Sequence, residues 1–284
     1  MAVLDINWLL SRRALGGLTR IVFESDGTRW FEPRKSREFE AVSLYGDKTM
    51  VRARAAEKAE TAKEVATDAF AAVKPRLRGV SHEWAFFISL GLGAVLIIAA
   101  KTPKATLAVA IYAVSLSALF GTSALYHRVD WKRPDVRRWM RRLDHSMIFV
   151  LIAGTYTPFA LLVLEGALAD AILVVVWVGA AIGTIVETVW IEHPKWVAAL
   201  VYLSMGWVAV VAFPGLWDEI GVGGTLLVAA GGLLYTIGAV VYATQRPNPN
   251  PRVFGYHEVF HLFVIAAAAA HFAAIAFYAL PSSS

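Results

Sequence analysis

Residues 105–127 read ATLAVAIYAVSLSALFGTSALYH, and residues 128–142, which follow directly, read RVDWKRPDVRRWMRR. The first stretch holds no Lys or Arg over a length that, as an α-helix, crosses a hydrocarbon core of about 30 Å. The second is short, strongly basic and carries Trp131 and Trp139, as loops at the cytoplasmic membrane face do. Together they predict a membrane-spanning helix whose C-terminal end lies at the cytoplasmic face.

The rest of the chain repeats this pattern. With 57% hydrophobic and 17% charged residues, the composition excludes an ordinary soluble protein. Further windows without Lys or Arg lie at about 83–100, 145–164, 168–187, 196–213, 222–243 and 257–280. All basic residues except Lys101 and Lys104 then fall on one side of the membrane, the cytoplasmic side. We predict an all-α polytopic membrane protein, a seven-transmembrane helix bundle with a cytoplasmic N-terminus and an extracytoplasmic C-terminus.

Charge and cysteine content limit the partners and the chemistry. The net charge of +5 follows from the basic cytoplasmic loops, so it indicates contact with anionic lipids at that face and no nucleic acid partner. The chain has no cysteine, which excludes disulfides, a thiolate nucleophile and Cys-ligated zinc or iron–sulfur centres. Any metal must therefore be held by His, Asp or Glu.

Residues 1–80 differ in composition from residues 81–284 and predict a polar cytoplasmic extension in front of the membrane domain. Residues 8–23 combine leucines with arginines, and we expect a basic amphipathic helix on the membrane surface. Residues 48–75 are rich in Ala, Glu and Lys, which favour a helix. The alternative is a partly disordered tail.

Polar residues in or near a bilayer are costly and suggest function. Ser123 and His127 lie four residues apart at the cytoplasmic end of the second window, and Asp144 opens the third. His257 and His261, again four apart and hence on one helix face, open the seventh. The loop charges place all five at the same depth, so they can form one site if these three helices are adjacent.

The residue types in this layer suit a metal. Three neutral imidazoles leave the fourth position of a tetrahedral catalytic zinc open for water, which a nearby carboxylate can orient or deprotonate. His127, His257 and His261 are the candidate ligands, and Asp144 is the candidate carboxylate. Ser123, one turn deeper than His127, is placed to bond a ligand or a polarised substrate oxygen.

Each of these residues also has a purely structural interpretation. Asp144 can pair with Arg141 or Arg142 at the membrane interface, and Ser123 can bond back to its own helix. Single histidines in helix bundles are usually hydrogen-bonded packing residues, which is the interpretation we favour for His82, His145 and His271. The structural interpretation is weakest for the three candidate ligands, because one metal would satisfy them all.

A second motif overlaps the seventh window. Residues 257–261 read HEVFH and match H-E-x-x-H, in which the Glu is the general base of a zinc peptidase. However, no Asp or Glu follows Glu258, and the third histidine of one such class would fall at Ala267. The third ligand would have to come from upstream, where His127 is best placed. An intramembrane peptidase is therefore kept as the weaker alternative.

These motifs resemble a known family. Ser-x-x-x-His, the Asp that opens the third window and His-x-x-x-His are similar to the three-motif pattern of the hemolysin III group. That group is the bacterial branch of the progestin and adipoQ receptor (PAQR) family, in a superfamily with alkaline ceramidases. The stretches DHSMIFVLIAGTYTPF (144–159) and GYHEVFH (255–261) carry the resemblance, which covers the chain from about Lys74 onward.

The resemblance implies a seven-helix bundle in a bacterial plasma membrane with a zinc near the cytoplasmic face. His127, His257 and His261 would be its ligands, Asp144 the partner of the activated water and Ser123 the substrate-polarising group. It also implies a lipid substrate or ligand and a role in membrane lipid homeostasis. Two hypotheses follow: a ceramidase-like zinc hydrolase of lipid amide bonds, or a membrane-state sensor or receptor whose zinc is structural.

Overall fold

The computed structural model describes residues 19–23, 29–33, 74–190 and 195–282. The chain divides into two compact units, Met1–Ala71 and Ala72–Ser284. The first unit contains an antiparallel pair of strands, β1 (Thr19–Phe23) and β2 (Arg29–Pro33), in which Ile21 pairs with Phe31.

This pair corrects one expectation. The amphipathic helix predicted over residues 8–23 is wrong for residues 19–23, which form β1. Most of this short segment is β-branched or aromatic, as strands favour. Residues 8–18, and residues 48–73 of the other predicted helix, lie outside the described residues.

Among the described residues of the second unit, every named secondary-structure element is helical, which confirms the predicted fold class. Its helices are α1 (Val80–Ala99), α2 (Pro103–Arg128), α3 (Pro134–Leu162), α4 (Gly166–Val189), α5 (Lys195–Trp207), α6 (Phe213–Thr244) and α7 (Tyr256–Ala274). A 3-10 segment (Val208–Ala212) joins α5 to α6, and α7 continues into a π-helical segment (Ile275–Ala279) and a final turn (Leu280–Ser282).

Six stretches of the described residues are long and apolar enough to cross a membrane. One of them, Leu200–Thr244, has 45 residues. As a straight helix it would measure about 68 Å, more than twice the hydrocarbon thickness. The 3-10 segment interrupts it, and so does Gly221, whose φ of 64° and ψ of −174° are not helical. The windows 196–213 and 222–243 therefore fall on separate parts of this stretch, and the count of seven spans and the orientation of the termini stay predictions.

The outer surface of the second unit fits a multi-pass membrane protein. Large apolar side chains point outward from several helices, among them Ile98 (83% exposed), Val189 (78%) and Phe277 (72%). In water such a surface would favour aggregation, whereas in lipid it is already in its preferred surroundings. The interior is close-packed around buried residues such as Tyr112 and Phe149.

Sequential helices pack side by side, α1 with α2, α2 with α3, α3 with α4 and α6 with α7, while α1 also packs against α7. The residues just before α1 hold it at the start of α7, because the amides of Arg76 and Leu77 donate to the carbonyls of Arg252 and Val253 at 3.1 Å. The packing of α1 against both α2 and α7 brings the end of α2 near the start of α7.

Candidate metal centre

Three imidazoles meet where the end of α2 approaches the start of α7. His127 lies in the last turn of α2, while His257 and His261 occupy consecutive turns of α7. One ligand nitrogen from each residue lies within 4.8 Å of the others, and the Nε2 atoms of His127 and His257 are 3.1 Å apart. All three side chains are buried. The spacing of four residues, read from the sequence, thus places both α7 histidines on the face that meets α2.

This group has the donor set of a metal site. Two ligands at about 2.1 Å from a tetrahedral zinc lie about 3.4 Å from each other, close to the observed Nε2 separation of 3.1 Å. In addition, Nδ1 of His261 is buried without a hydrogen-bond partner among the described residues. Since three neutral nitrogen donors suit zinc well, the cluster could hold a metal ion. The identity of that ion stays a prediction.

Asp144 lies in the same layer, as predicted. Its Oδ2 atom is 3.5 Å from Nε2 of His127. Arg142, one of the two arginines considered as its alternative partner, instead places its guanidinium carbon 4.6 Å from the centre of the Trp139 ring. The carboxylate therefore borders the histidine cluster, although its catalytic role is untested.

Ser123 is also buried in this layer, four residues before His127 on the same face of α2. Its Oγ atom lies 2.9 Å from Nδ1 of His82 on α1 and close enough to Asp144 to interact with its carboxylate. The hydroxyl thus takes part in contacts between helices, which supports the predicted position of Ser123. Its role in polarising a substrate stays a prediction.

His82 is a further residue of this polar layer, one that the sequence motifs do not include. Its ring stacks on that of His261, with centroids 3.7 Å apart and planes 9° from parallel, and it is buried. One signal in the sequence pointed to it: His82 comes directly before the first window, at the depth predicted for the other histidines. It has no histidine four residues away on its helix, so we had interpreted it as a packing residue.

Gly79, the residue before α1, permits this close approach of α1 to α2. Its φ of 81° lies in the left-handed region that favours glycine, and a Cβ atom there would lie 2.6 Å from the Cβ of His127. A side chain at this position would therefore displace a candidate ligand.

Both carboxylate oxygens of Glu258 bond to groups outside the imidazole cluster. Its Oε1 atom pairs with the Arg78 guanidinium, and its Oε2 atom accepts a hydrogen bond of 2.7 Å from the amide of Gly255. The buried carboxylate of Glu258 thus caps the N-terminus of α7 and neutralises the charge of Arg78. This arrangement does not supply the general base that an H-E-x-x-H peptidase needs.

A second polar group lies beside Asp144. Nδ1 of His145 is 3.2 Å from Oε2 of Glu187 on α4, and the hydroxyl of Tyr202 on α5 donates to Oε1 of Glu187 at 3.2 Å. Glu187 is 4% exposed, so these hydrogen bonds offset part of the cost of burying its carboxyl group. We had interpreted His145 as a hydrogen-bonded packing residue, and we had not singled out Glu187, which ends the fourth window.

A cavity of about 240 Å³ runs from the histidine layer into the bundle. Its polar end includes His82, Ser123, Asp144, His257 and His261. Most of its remaining wall is apolar, formed by residues such as Leu151, Phe159, Leu216, Val228 and Val264. The cavity thus joins a polar end at the imidazoles to a largely apolar wall.

Comparison with known proteins gives consistent matches. Residues 70–272 match the family model "Haemolysin-III related". The chain is 35% identical over 216 residues to Hemolysin-3 of Bacillus cereus, covering 72% of this chain and 95% of that protein. It is 34% identical over 168 residues to a Hemolysin-3 homolog of Bacillus subtilis (strain 168), covering 59% and 75%. The human monocyte to macrophage differentiation factor is 33% identical over 168 residues, covering 58% and 67%.

Proposed function

The chain belongs to the haemolysin-III related family, and from this membership and the site geometry we propose that it is a zinc-dependent hydrolase of lipid amide bonds. This ceramidase-like activity would serve lipid homeostasis in a bacterial plasma membrane. The observation that carries the proposal is the position of the His127, His257 and His261 cluster beside Asp144 at the polar end of a largely apolar cavity.

The three imidazoles would hold the zinc. When bound, the zinc would supply Lewis acidity toward a carbonyl oxygen. The apolar wall around Leu151 and Val264 would hold the acyl chain and keep bulk water from the amide. The lipid substrate is thereby oriented with its amide group at the histidine layer.

Asp144 would serve as the proton carrier. Its Oδ2 atom would accept a proton from the attacking water and later deliver it to the amide nitrogen, which leaves as the free amine. Ser123 would donate a hydrogen bond to the carbonyl oxygen as negative charge develops there. His82, which bonds Ser123 and stacks on His261, would keep both groups in position.

Asp144→Asn tests this role. We expect purified, zinc-loaded wild-type protein in lipid nanodiscs to release fatty acid from a long-chain ceramide. The variant should lose this activity by about 100-fold to 10,000-fold, as expected for removal of a general base, while keeping its zinc. Asp135→Asn, which removes an exposed carboxylate from the same helix, is the matched control and should retain full activity.

The second candidate function is a membrane-state sensor. One observation favours it: the three imidazoles come from two helices, α2 and α7. A metal bound between them would hold these two helices together. If zinc-loaded wild-type protein releases no fatty acid from lipid amides or esters, and zinc removal lowers only its melting temperature, the hydrolase proposal is wrong and the sensor is supported.

A further inference from the structure

Two polar groups lie deep in the cavity, far from the histidine layer. The hydroxyl of Tyr235 on α6 and Nδ1 of His271 on α7 are both buried, and neither has a hydrogen-bond partner among the described residues. The two rings are neighbours, with centroids 5.6 Å apart, and both line the cavity. Buried polar groups are rarely left unpaired in folded proteins, so these two atoms call for a hydrogen-bonding group in the cavity between them.

The surrounding chain fixes the orientation of His271. Its Nε2 atom lies 3.1 Å from the carbonyl oxygen of Val228 on α6. A carbonyl only accepts hydrogen bonds, so in the neutral ring Nε2 carries the hydrogen and Nδ1 is left as an acceptor. Gly231 provides the space for this ring, since a Cβ atom at that position would overlap Cδ2 and Nε2 of His271.

The chemistry of the pair selects one kind of group. Nδ1 of His271 can only accept, whereas the Tyr235 hydroxyl can donate or accept. A ligand hydroxyl satisfies both at once, by donating to Nδ1 and accepting from the tyrosine. A ketone would leave Nδ1 unpaired, and a methylene would leave both groups unpaired.

The distance of Tyr235 and His271 from the histidine layer sets the position of this hydroxyl on a bound hydrocarbon chain. His271 lies ten residues after His261 on the same helix, which corresponds to about 15 Å. The apolar wall continues past this level, because Phe159 lies fifteen residues after Asp144 on α3, about 22 Å away. A chain that starts at the histidine layer therefore passes Tyr235 and His271 before it ends.

We propose that Tyr235 and His271 form a second subsite, which selects lipids that carry a hydroxyl group near the middle of an acyl chain. The direction of the chain, with its polar head at the histidine layer, rests on the proposed function. The hydroxyl subsite itself rests only on the two unpaired groups, the fixed His271 ring and the cavity.

The test compares ricinoleic acid, which has a mid-chain hydroxyl, with oleic acid, which lacks it. Both are free fatty acids, so no hydrolysis is needed for binding. Competition against radiolabelled oleic acid on zinc-loaded protein in nanodiscs should show about tenfold tighter binding of ricinoleic acid, equivalent to about 1.4 kcal/mol. Tyr235→Phe removes one oxygen and should lower the preference to about threefold or less.

Tyr112→Phe is the matched control, since it removes a buried tyrosine hydroxyl outside the cavity wall and should keep the tenfold preference. His271→Leu removes the accepting Nδ1 atom, so at a melting temperature that matches the wild type it should also lower the preference for ricinoleic acid. Equal affinities in the wild type, or a preference that survives Tyr235→Phe, would overturn the subsite. A preference without any amide hydrolysis would support the subsite and refute the proposed enzyme, whereas hydrolysis without a preference would do the reverse.

Discussion

Glu258 and His82 both make their main contacts with residues that are distant in the sequence. The H-E-x-x-H motif suggested a general base, yet Glu258 pairs with Arg78, 180 positions earlier in the chain. No local pattern contains that partner. His82 was missed for a related reason, because its contacts come from α2 and α7. By contrast, His257 and His261 were predictable, since their spacing alone puts them on one helix face.

The role of Glu258 can be measured. Glu258→Gln keeps an oxygen that can accept from Gly255 but removes the charge that pairs with Arg78. We expect the free energy of unfolding to fall by about 1–3 kcal/mol, seen as a lower melting temperature, while zinc content is unchanged. Glu83→Gln, in a half-exposed pair with Arg128, is the control and should cost at most about 1 kcal/mol. Loss of hydrolysis at an unchanged melting temperature would instead indicate a catalytic role.

Metal content tests the histidine cluster directly. Purified wild-type protein should contain about one zinc per chain by mass spectrometry, and His257→Ala and His261→Ala should each reduce this strongly. Removing a group that only hydrogen-bonds a metal ligand typically lowers metal affinity about 10-fold to 100-fold, so loss of a ligand itself should cost at least about as much. His271→Ala removes a histidine from the same helix outside the cluster and should retain the metal. Retention of zinc in all three variants would show that the metal, if any, binds elsewhere.

At the scale of helices and strands, windows without Lys or Arg located α1 to α4, α6 and α7 well, because crossing lipid imposes the same length and composition on every helix. One interruption was predicted, because Gly221 lies in the gap between the windows 196–213 and 222–243. The 3-10 segment Val208–Ala212 was not predicted, since it lies inside the first of these windows. The strand β1 was also missed, since residues 8–23 as a whole combine leucines with arginines, which suits a surface helix.

The interruption at Gly221 gives a prediction for α6. Its φ of 64° and ψ of −174° fall in a region that is open almost only to glycine. Gly221→Ala should therefore lower the free energy of unfolding by about 1–3 kcal/mol. Gly232→Ala is the matched control in the same helix. At Gly232 the backbone is helical and a Cβ atom would meet nothing within 4 Å, so this change should leave the free energy of unfolding unchanged or raise it slightly. Equal melting temperatures for the two variants would mean that the non-helical backbone at Gly221 does not contribute to the stability of the fold.

At the scale of the whole molecule, the absence of cysteine makes topology directly measurable. Single cysteines can be placed at four exposed positions, Lys101→Cys, Arg138→Cys, Asp218→Cys and Arg246→Cys. With seven spans and a cytoplasmic N-terminus, a membrane-impermeant maleimide should label positions 101 and 218 in intact cells. Positions 138 and 246 should react only after permeabilisation. Labelling of position 246 from outside would mean that Leu200–Thr244 crosses once and that the count is six.

The segment before α1 determines how far this chain can be shortened. Arg76 and Leu77 donate to the loop before α7, and Arg78 neutralises Glu258. A truncated chain that started at Val80 would keep every membrane-spanning stretch, yet it would bury a carboxylate without its cation and expose two loop carbonyls. The smallest autonomous version of the membrane unit therefore begins at or before Pro75, even though no residue between Pro75 and Gly79 is helical.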